Sequence, residues 1–192
     1  MYAELLGEAT LYAILLRIDE DLAAQARLAG CACGGRLHSA IYPRKPRGGP
    51  AGPGTSYESR LSYCCARDGC RRRTTPPSVR FLGRKVYLGA VVVLVSALRQ
   101  GPSPRRVRTL HELFGVGERT LRRWRQWWQE VFVEGSFWPA AQGRFMPAIA
   151  AHELPRALAE RFGAHIGDGL CRLLHFLSPI TTGSCVLAGG GF

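Results

Sequence analysis

Two amphipathic helical patterns meet at a short glycine turn, and this arrangement limits the folds available to the chain more than any other stretch. Apolar residues recur at helical spacing on both sides of the turn, at Val107, Leu110, Leu113 and Phe114 before it and at Leu121, Trp124 and Trp128 after it. Gly115 can adopt the positive φ that ends a helix, and Gly117 can serve as the next N-cap. Val116 is then expected to be buried. The pattern predicts helices over 104–114 and 118–133 that form a helix-turn-helix.

The second of these helices is basic on the face opposite its apolar residues. A helix of this kind fits the major groove of duplex DNA, where arginine can bond guanine edges. The residues expected to face the groove are Arg119, Thr120, Arg122, Arg123 and Gln126. At the start of the preceding helix, Arg105, Arg106 and Arg108 are expected to hold the phosphate backbone. The alternative is an ordinary helical hairpin whose arginines are only solvated.

The distribution of charge favours the first interpretation. The net charge is +12, and the excess lies in the middle of the chain. Residues 31–85 carry twelve basic and two acidic side chains, and residues 99–126 carry eight and two. The flanking segments 1–30 and 127–192 are slightly acidic. Solvation alone needs no such sorting, whereas binding to a polyanion does.

Two clusters of cysteines predict a metal site. The first is Cys31-Ala-Cys33-Gly-Gly, and the second is Cys64-Cys65-Ala-Arg-Asp-Gly-Cys70. Paired cysteines beside glycine form turns that aim thiolates inward, as tetrahedral zinc requires. The predicted zinc ligands are Cys31, Cys33, Cys65 and Cys70, with Cys64 as a rival for the third position and His38 as a weaker candidate. The spacings are irregular, and the alternative is a set of reduced structural thiols.

The residues around these cysteines have the pattern of a zinc ribbon. Segments 36–42 and 57–63 are predicted strands joined by a loop over 43–54, and 78–86 is a predicted third strand. The segment is too rich in Gly, Pro and Arg to bury much apolar surface, so a metal would supply folding free energy. Arg71, Arg72 and Arg73 directly follow the last proposed ligand and are expected to contact phosphates. Otherwise they form a solvated strand end.

The remaining segments are expected to be structural. Residues 1–29 form a predicted helix with a restart at Asp19, and the apolar run 86–98 is a buried helix, too short to span a bilayer. Short helices are predicted around 153–162 and 167–177, with a frayed end from Ile180 to Phe192. The fold class is therefore α+β, mostly α. The predicted units are an N-terminal helix (1–30), a zinc ribbon (31–85), a helix-turn-helix domain (86–138) and a helical, partly disordered tail (139–192).

Two groups of side chains are of types that can bind ligands or metals, but a structural or incidental role is expected for both. One is an aromatic cluster that could stack on bases or fill a core, and its helical spacing favours the core. Its members are Trp124, Trp127, Trp128, Phe132 and Trp138. The other is Asp168, Cys171 and His175, which share a helical face, with His165 a turn earlier. A second metal site or a Cys–His pair is less expected there than a chance surface grouping.

The combination resembles the DNA-recognition half of bacterial insertion-sequence transposases. The resemblance rests on the flanking cysteine pairs, the arginines after Cys70, the Phe81-Leu-Gly-Arg84 strand end and the helix-turn-helix, and it covers about residues 30–133. It implies double-stranded DNA as partner, Zn2+ in the ribbon and a cytoplasmic, nucleoid-associated setting in bacteria. A separate transposase subunit or self-association is a further expected partner. No secretory signal or membrane span is expected.

A catalytic site for DNA cleavage is not visible in the sequence. Transposases of this kind hold two metal ions with three carboxylates on an alternating sheet. The acids after residue 126 are Glu130, Glu134, Glu153, Glu160 and Asp168, all in helical or loop contexts. We therefore expect a DNA-binding protein that is not an enzyme. The alternatives are a zinc-ribbon module that binds RNA or protein, and a transposase or nuclease with an unrecognised active site.

Overall fold

The computed structural model describes residues 2–49, 56–82, 85–98 and 103–182, without the side chains of Tyr2 and Ala3. The fold is α+β, with helices predominating. The helices are α1 (Tyr2–Gly7), α2 (Ala9–Ala29), α3 (Gly89–Ser96), α4 (Pro104–Phe114), α5 (Glu118–Gln129), α6 (Val131–Glu134), α7 (Phe137–Ala141), α8 (Arg156–Phe162) and α9 (Gly167–Leu177), with short 3-10 turns at Gln142–Arg144, Ala151–Glu153 and Ser178–Thr181. The strands are β1 (Leu37–Ser39), β2 (Tyr42–Pro43), β3 (Ser59–Arg60), β4 (Tyr63–Cys65) and β5 (Arg73–Thr74).

The strands form two small antiparallel sheets in residues 31–74, which we call the cysteine segment. One sheet has the order β1-β4-β5, and the other pairs β2 with β3. The predicted strands 36–42 and 57–63 are each interrupted. The predicted third strand over 78–86 is wrong: its described residues form bends with one isolated bridge between Phe81 and Leu88. The third strand is β5 instead. Gly83, Arg84, most of the proposed loop tip and residues after Thr182 lie outside the described residues.

Helix α3 is the centre of the helical core. All eight of its residues are buried, because the run Ala90–Val95 is apolar on every face. It contacts α1, α5, α8 and α9. The prediction of a buried apolar helix is confirmed, although the helix covers 89–96 rather than 86–98. None of the helices in the described part of the chain has the length and apolarity needed to cross a bilayer.

Helices α4 and α5 are joined at the predicted glycine turn. Gly115 is left-handed, with φ of 65°, and Val116 is fully buried. Ser103 caps α4 by accepting a hydrogen bond from the backbone N–H of Arg106 at 3.3 Å. The second helix ends at Gln129 rather than at 133, and the chain turns there into the short helix α6.

The aromatic side chains that follow this turn belong to the core. The buried members are Trp124, Trp127, Trp128, Phe132 and Trp138. Phe132 lies at their centre, with ring centroids 4.8 Å from Trp128 and 5.4 Å from Trp138. The rings of Trp127, Trp128, Phe132 and Trp138 pack in one group, and Trp124 packs against Tyr87 with ring centroids 5.0 Å apart. Because all five are shielded from solvent, the structure supports core packing over base stacking.

A buried ion pair connects helix α2 to the loop before α3. Asp19 lies in the middle of α2, so the predicted helix restart there is wrong, and the break falls at Glu8. The Oδ2 atom of Asp19 accepts hydrogen bonds from Arg80 Nε at 2.8 Å and Ser78 Oγ at 2.6 Å. Both side chains of the pair are 0% exposed. These bonds hold residues 78–80 against α2, and an extended strand cannot form there.

Arg80 uses its remaining donors to hold the loop before β3. Its Nη1 donates to the Tyr57 carbonyl at 2.9 Å, and its Nη2 donates to the Ser59 carbonyl at 3.0 Å. The guanidinium also lies 5.0 Å from the Tyr57 ring centroid. A single arginine therefore links helix α2, the loop before α3 and the cysteine segment.

We expect Asp19→Ala to lower the free energy of unfolding by about 3–5 kcal/mol, because it leaves the Arg80 guanidinium buried without its carboxylate. Urea denaturation followed by circular dichroism measures this. Glu20→Ala is the matched control, since its carboxylate is half exposed and lies 3.9 Å from an exposed Arg17; a change under about 0.5 kcal/mol is expected there. Equal losses in the two variants would contradict the role assigned to the buried pair.

Candidate functional site

Four cysteine thiols lie close enough together to hold one metal ion. The Sγ atoms of Cys31, Cys33, Cys65 and Cys70 all lie within 4.8 Å of one another. The Cys31–Cys70 separation is 3.8 Å and the Cys33–Cys65 separation is 3.5 Å. Sulphur ligands at about 2.3 Å from a tetrahedral ion are about 3.8 Å apart, whereas disulfide sulphurs are about 2.05 Å apart. The cluster can therefore hold one metal ion.

Backbone amides support three of these sulphurs in the same way. The N–H groups of Gly35, Arg67 and Arg72 lie two residues after Cys33, Cys65 and Cys70 and point at their respective thiols. The distance from Arg67 N to Cys65 Sγ is 3.5 Å. The Gly35 amide, aided by the neighbouring thiols, lowers the pKa of Cys33 to about 6, whereas at Cys65 and Cys70 the backbone donor is outweighed by burial and the neighbouring thiols, which raise the pKa of both. Such donors stabilise the thiolate, which is the form that binds metal.

Gly35 is required because the cluster lies directly against its backbone. A Cβ at this position would lie 2.6 Å from Cys65 Sγ and 3.3 Å from Cys33 Sγ. Any side chain there would separate the two cysteine turns. Gly34, with φ of 77°, makes the preceding turn, so the Gly-Gly pair after Cys33 serves both the bend and the close approach.

Sheet alternation selects Cys65 over Cys64 for the cluster. In the β1–β4 register, Leu37 pairs with Cys65 and His38 pairs with Cys64. Successive residues of a strand face opposite sides, so Cys65 joins the buried side with Leu37. Cys64 instead donates from Sγ to the Arg71 carbonyl at 3.4 Å, and His38 is exposed. The sequence left this choice open, because the register of β4 is needed to make it.

We expect Cys65→Ser to reduce metal content well below one ion per chain, because it removes one of four ligands. Cys64→Ser is a matched control one residue away, and it should bind metal as the wild type does. Elemental analysis of the purified proteins measures the content. The expected loss of affinity for Cys65→Ser exceeds the roughly 10–100-fold typical of losing an outer hydrogen bond. Equal metal loss in both variants would contradict the assigned register.

The arginines after Cys70 are exposed and lie on and beside β5. Arg71 forms an ion pair with Asp68 at 2.7 Å, and the Arg73 guanidinium lies 5.5 Å from the Tyr42 ring centroid. Arg72 directs its backbone N–H to the Cys70 thiol. The side chains of all three extend from the same short segment that holds Cys70 of the thiol cluster. Their placement therefore depends on the order of the thiol cluster.

Helix α5 separates basic and apolar side chains as predicted. Its buried residues are Leu121, Trp124, Trp127 and Trp128. On the other side Arg119, Arg122, Arg123 and Gln126 are exposed, and Thr120 is half-buried. Two of the exposed side chains form contacts at the surface. Arg122 is paired with Glu118, one turn earlier, and Gln126 donates to Glu130 at 2.9 Å.

The arginines at the start of α4 have mixed exposure. Arg105 and Arg108 are exposed, and Arg106 is half-buried. Arg106 lies near enough to Arg125 to contribute, after burial, to lowering the pKa of that guanidinium. Arg125 itself turns inward and donates to the Leu98 carbonyl at 2.9 Å. Among the α5 arginines, Arg125 thus contacts the residues that follow α3.

Lys85 is a basic residue that sequence reasoning did not single out. Its Nζ lies 4.1 Å from the Trp127 ring centroid, and burial together with nearby Arg123 lowers its pKa to about 8. The Lys85 carbonyl accepts from Arg44 Nη2 at 2.7 Å. Lys85, in the segment before α3, therefore links Arg44 of the cysteine segment to Trp127 of α5. No local pattern marks this contact, because its partners are 38 and more residues apart.

We expect the free energy of unfolding to rise between about pH 8 and pH 10.5 through Lys85. The folded protein releases this proton at about 8, whereas the unfolded chain keeps it to the ordinary value of 10.5, so stability increases where only the unfolded state is protonated. In Lys85→Met this component, about 3 kcal/mol, is lost. Denaturation curves at several pH values measure it, and the exposed Lys45→Met is the control. A wild-type curve superimposable on that of Lys85→Met would be the contrary result.

The second group of metal-binding residue types does not assemble. Asp168 and His175 are exposed on α9, and Cys171 is half-buried. Burial and the Asp168 carboxylate raise the pKa of the Cys171 thiol. Across the described residues, the four-cysteine cluster is the single group of three or more Cys, His, Asp or Glu placed to hold an ion.

Comparison with family models, with curated proteins and with solved structures finds no match to this chain. The similarity to transposase recognition modules therefore stays a prediction from motifs.

Proposed function

We propose that this chain is a double-stranded DNA-binding protein in which a zinc ribbon and a helix-turn-helix contact one duplex. The observation that carries the proposal is the division of α5. Four of its apolar side chains are buried, while Arg119, Arg122 and Arg123 are exposed on the same helix. A helix fixed along one side and arginine-rich along the other suits insertion in the major groove. The excess of positive charge in the middle of the chain supports a polyanionic partner.

Zinc is the proposed metal, with a structural role. Four thiolates in tetrahedral arrangement suit zinc or iron, and four protein ligands leave no open position for chemistry. Among the described residues, the buried centre near the site is small: Cys31, Leu37 and Cys65, with Cys33, Tyr63 and Cys70 packed against them. Because so small a centre contributes little burial, the metal would supply much of the local folding free energy. Elemental analysis separates zinc from iron.

The exposed arginines divide into two proposed roles. Arg71, Arg72 and Arg73, held beside the metal site, contact phosphates, and so do Arg105, Arg106 and Arg108 at the start of α4, where the helix dipole also favours an anion. Arg119, Thr120, Arg122, Arg123 and Gln126 read bases. The Arg122–Glu118 pair opposes this only weakly, since exposed ion pairs contribute under about 1 kcal/mol.

We expect duplex binding to weaken with salt at a slope of log K against log salt near −7, because about eight phosphates are neutralised at about −0.9 each. Arg122→Ala or Arg123→Ala should reduce discrimination between target and random duplex by about 1–3 kcal/mol. Fluorescence anisotropy on a selected target and a random duplex measures both quantities. The control is Arg144→Ala, an exposed arginine after α7.

Three outcomes would count against this proposal. Equal weakening on all duplexes would reduce Arg122 and Arg123 to phosphate contacts. Structured RNA that competes as well as duplex DNA would favour an RNA-binding module, because a groove-binding helix requires B-form DNA. Magnesium-dependent nicking of DNA would reveal an enzyme.

A further inference from the structure

The hairpin of β2 and β3 carries a basic surface. Contacts link this surface to the arginines after Cys70 and to α5, the two regions proposed to bind DNA. An open groove of about 420 Å3 is lined by Tyr42, Arg44, Lys45 and Val86. Lys45 and Arg47 are exposed, and Arg44 is half-buried. The described part of this hairpin has one acidic residue, Glu58. Its local charge is therefore positive, and its groove contains an aromatic ring.

On one side the groove is continuous with the arginines that follow Cys70. Tyr42 lines the groove, and the Arg73 guanidinium lies 5.5 Å from the centroid of the same ring. Tyr42 belongs to β2 and Arg73 belongs to β5, which lie in different sheets. The tyrosine thus joins the two sheets and positions Arg73 beside the groove.

On the other side Lys85 links the groove to α5. Arg44 donates to the Lys85 carbonyl at 2.7 Å, and Lys85 Nζ lies 4.1 Å from the Trp127 ring centroid in α5. Arg123, a proposed base-reading residue, is close enough to Lys85 to influence its titration.

Backbone hydrogen bonds fix the β2–β3 hairpin against the start of α3. The Arg47 N–H donates to the Val86 carbonyl at 2.9 Å, and the Leu88 N–H donates to the Arg47 carbonyl at 3.0 Å. Gly48 passes close to Val91, where a Cβ would lie 3.2 Å from both of its methyl groups. The hairpin is therefore anchored to the start of α3, and its exposed cations have a defined position relative to the helical core.

We propose that the groove formed by Tyr42, Arg44 and Lys45, with Arg47 at its edge, binds the phosphate backbone of the duplex between the ribbon arginines and helix α5. This inference rests on the proposed function and extends it. The contacts join Arg73, the hairpin and Arg123 into one basic path, so a phosphate strand that leaves the ribbon meets further cations before it reaches the major-groove helix. Cations spaced along a path suit a polyanion, whose affinity grows with each phosphate neutralised.

The test is the salt dependence of duplex binding by Lys45→Gln/Arg47→Gln, measured on the full chain with metal bound. Both side chains are exposed, so folding should be unaffected, and circular dichroism and metal content verify this. The slope of log K against log salt should become less steep by about 1.8, at about 0.9 for each lost phosphate contact. Sequence preference should not change, because the phosphate backbone carries no base identity.

Arg144→Gln/Arg172→Gln is the matched control, since it removes the same charge from exposed positions in the helical region after α6. It should leave the slope unchanged. Lys45→Arg/Arg47→Lys, which keeps both charges, should also retain the wild-type slope. An equal change in the hairpin variant and the control would show a long-range effect of net charge and would overturn the inference. An unchanged slope in the hairpin variant, with normal binding by the wild type, would overturn the proposed role of the groove and leave the proposed function standing. Failure of the wild type to bind any duplex would overturn the proposed function as well.

Discussion

The buried ion pair between Asp19 and Arg80 is the interaction on which the arrangement of the chain depends. Two charges without solvent exposure are costly unless every remaining donor and acceptor is satisfied nearby. Arg80 meets this requirement with carbonyls of Tyr57 and Ser59, and Asp19 meets it with Ser78 and Val79. The pair is therefore stable only when helix α2, the cysteine segment and the loop before α3 are all in place.

The local structure of the cysteine segment and its position against the helices therefore have different causes. Locally, the four thiols and the amides that point at them form a centre that needs little apolar burial. Globally, the position of the segment against the helices follows from Arg80 and from the backbone bonds of Arg47 with Val86 and Leu88. A bound metal would thus stabilise the turns, while the ion pair orients them. Loss of the metal would displace the arginines after Cys70 by disordering the turns. Loss of the ion pair would displace them by moving the segment relative to the helices.

Features that depend on neighbouring residues could be predicted from the sequence, and those that depend on distant partners could not. The glycine turn at Gly115 and the buried Val116 follow from local spacing, as do the two cysteine turns. The meeting of these turns across 32 and 39 residues was predicted from the four ligands that a tetrahedral metal requires. The choice of Cys65 over Cys64 required the register with β1. Asp19 resembles a helix-start residue until Arg80, 61 positions later, is found beside it. The predicted strand over 78–86 was wrong for the same reason, because local β propensity there is overridden by that contact.

The same distinction applies to the surface proposed to bind DNA. Helix α5 is recognisable from its own periodicity, since its tryptophans fix one side and leave the arginines on the other. Lys85 and Arg44 acquire their position only through the fold, which places a cation against Trp127 and a hairpin beside it. Burial of the lysine stem against an indole is tolerable because the ring face attracts the ammonium group. Partial desolvation, however, lowers the pKa of Lys85. The ammonium group that lies against α5 is therefore most fully protonated when an anion is close by.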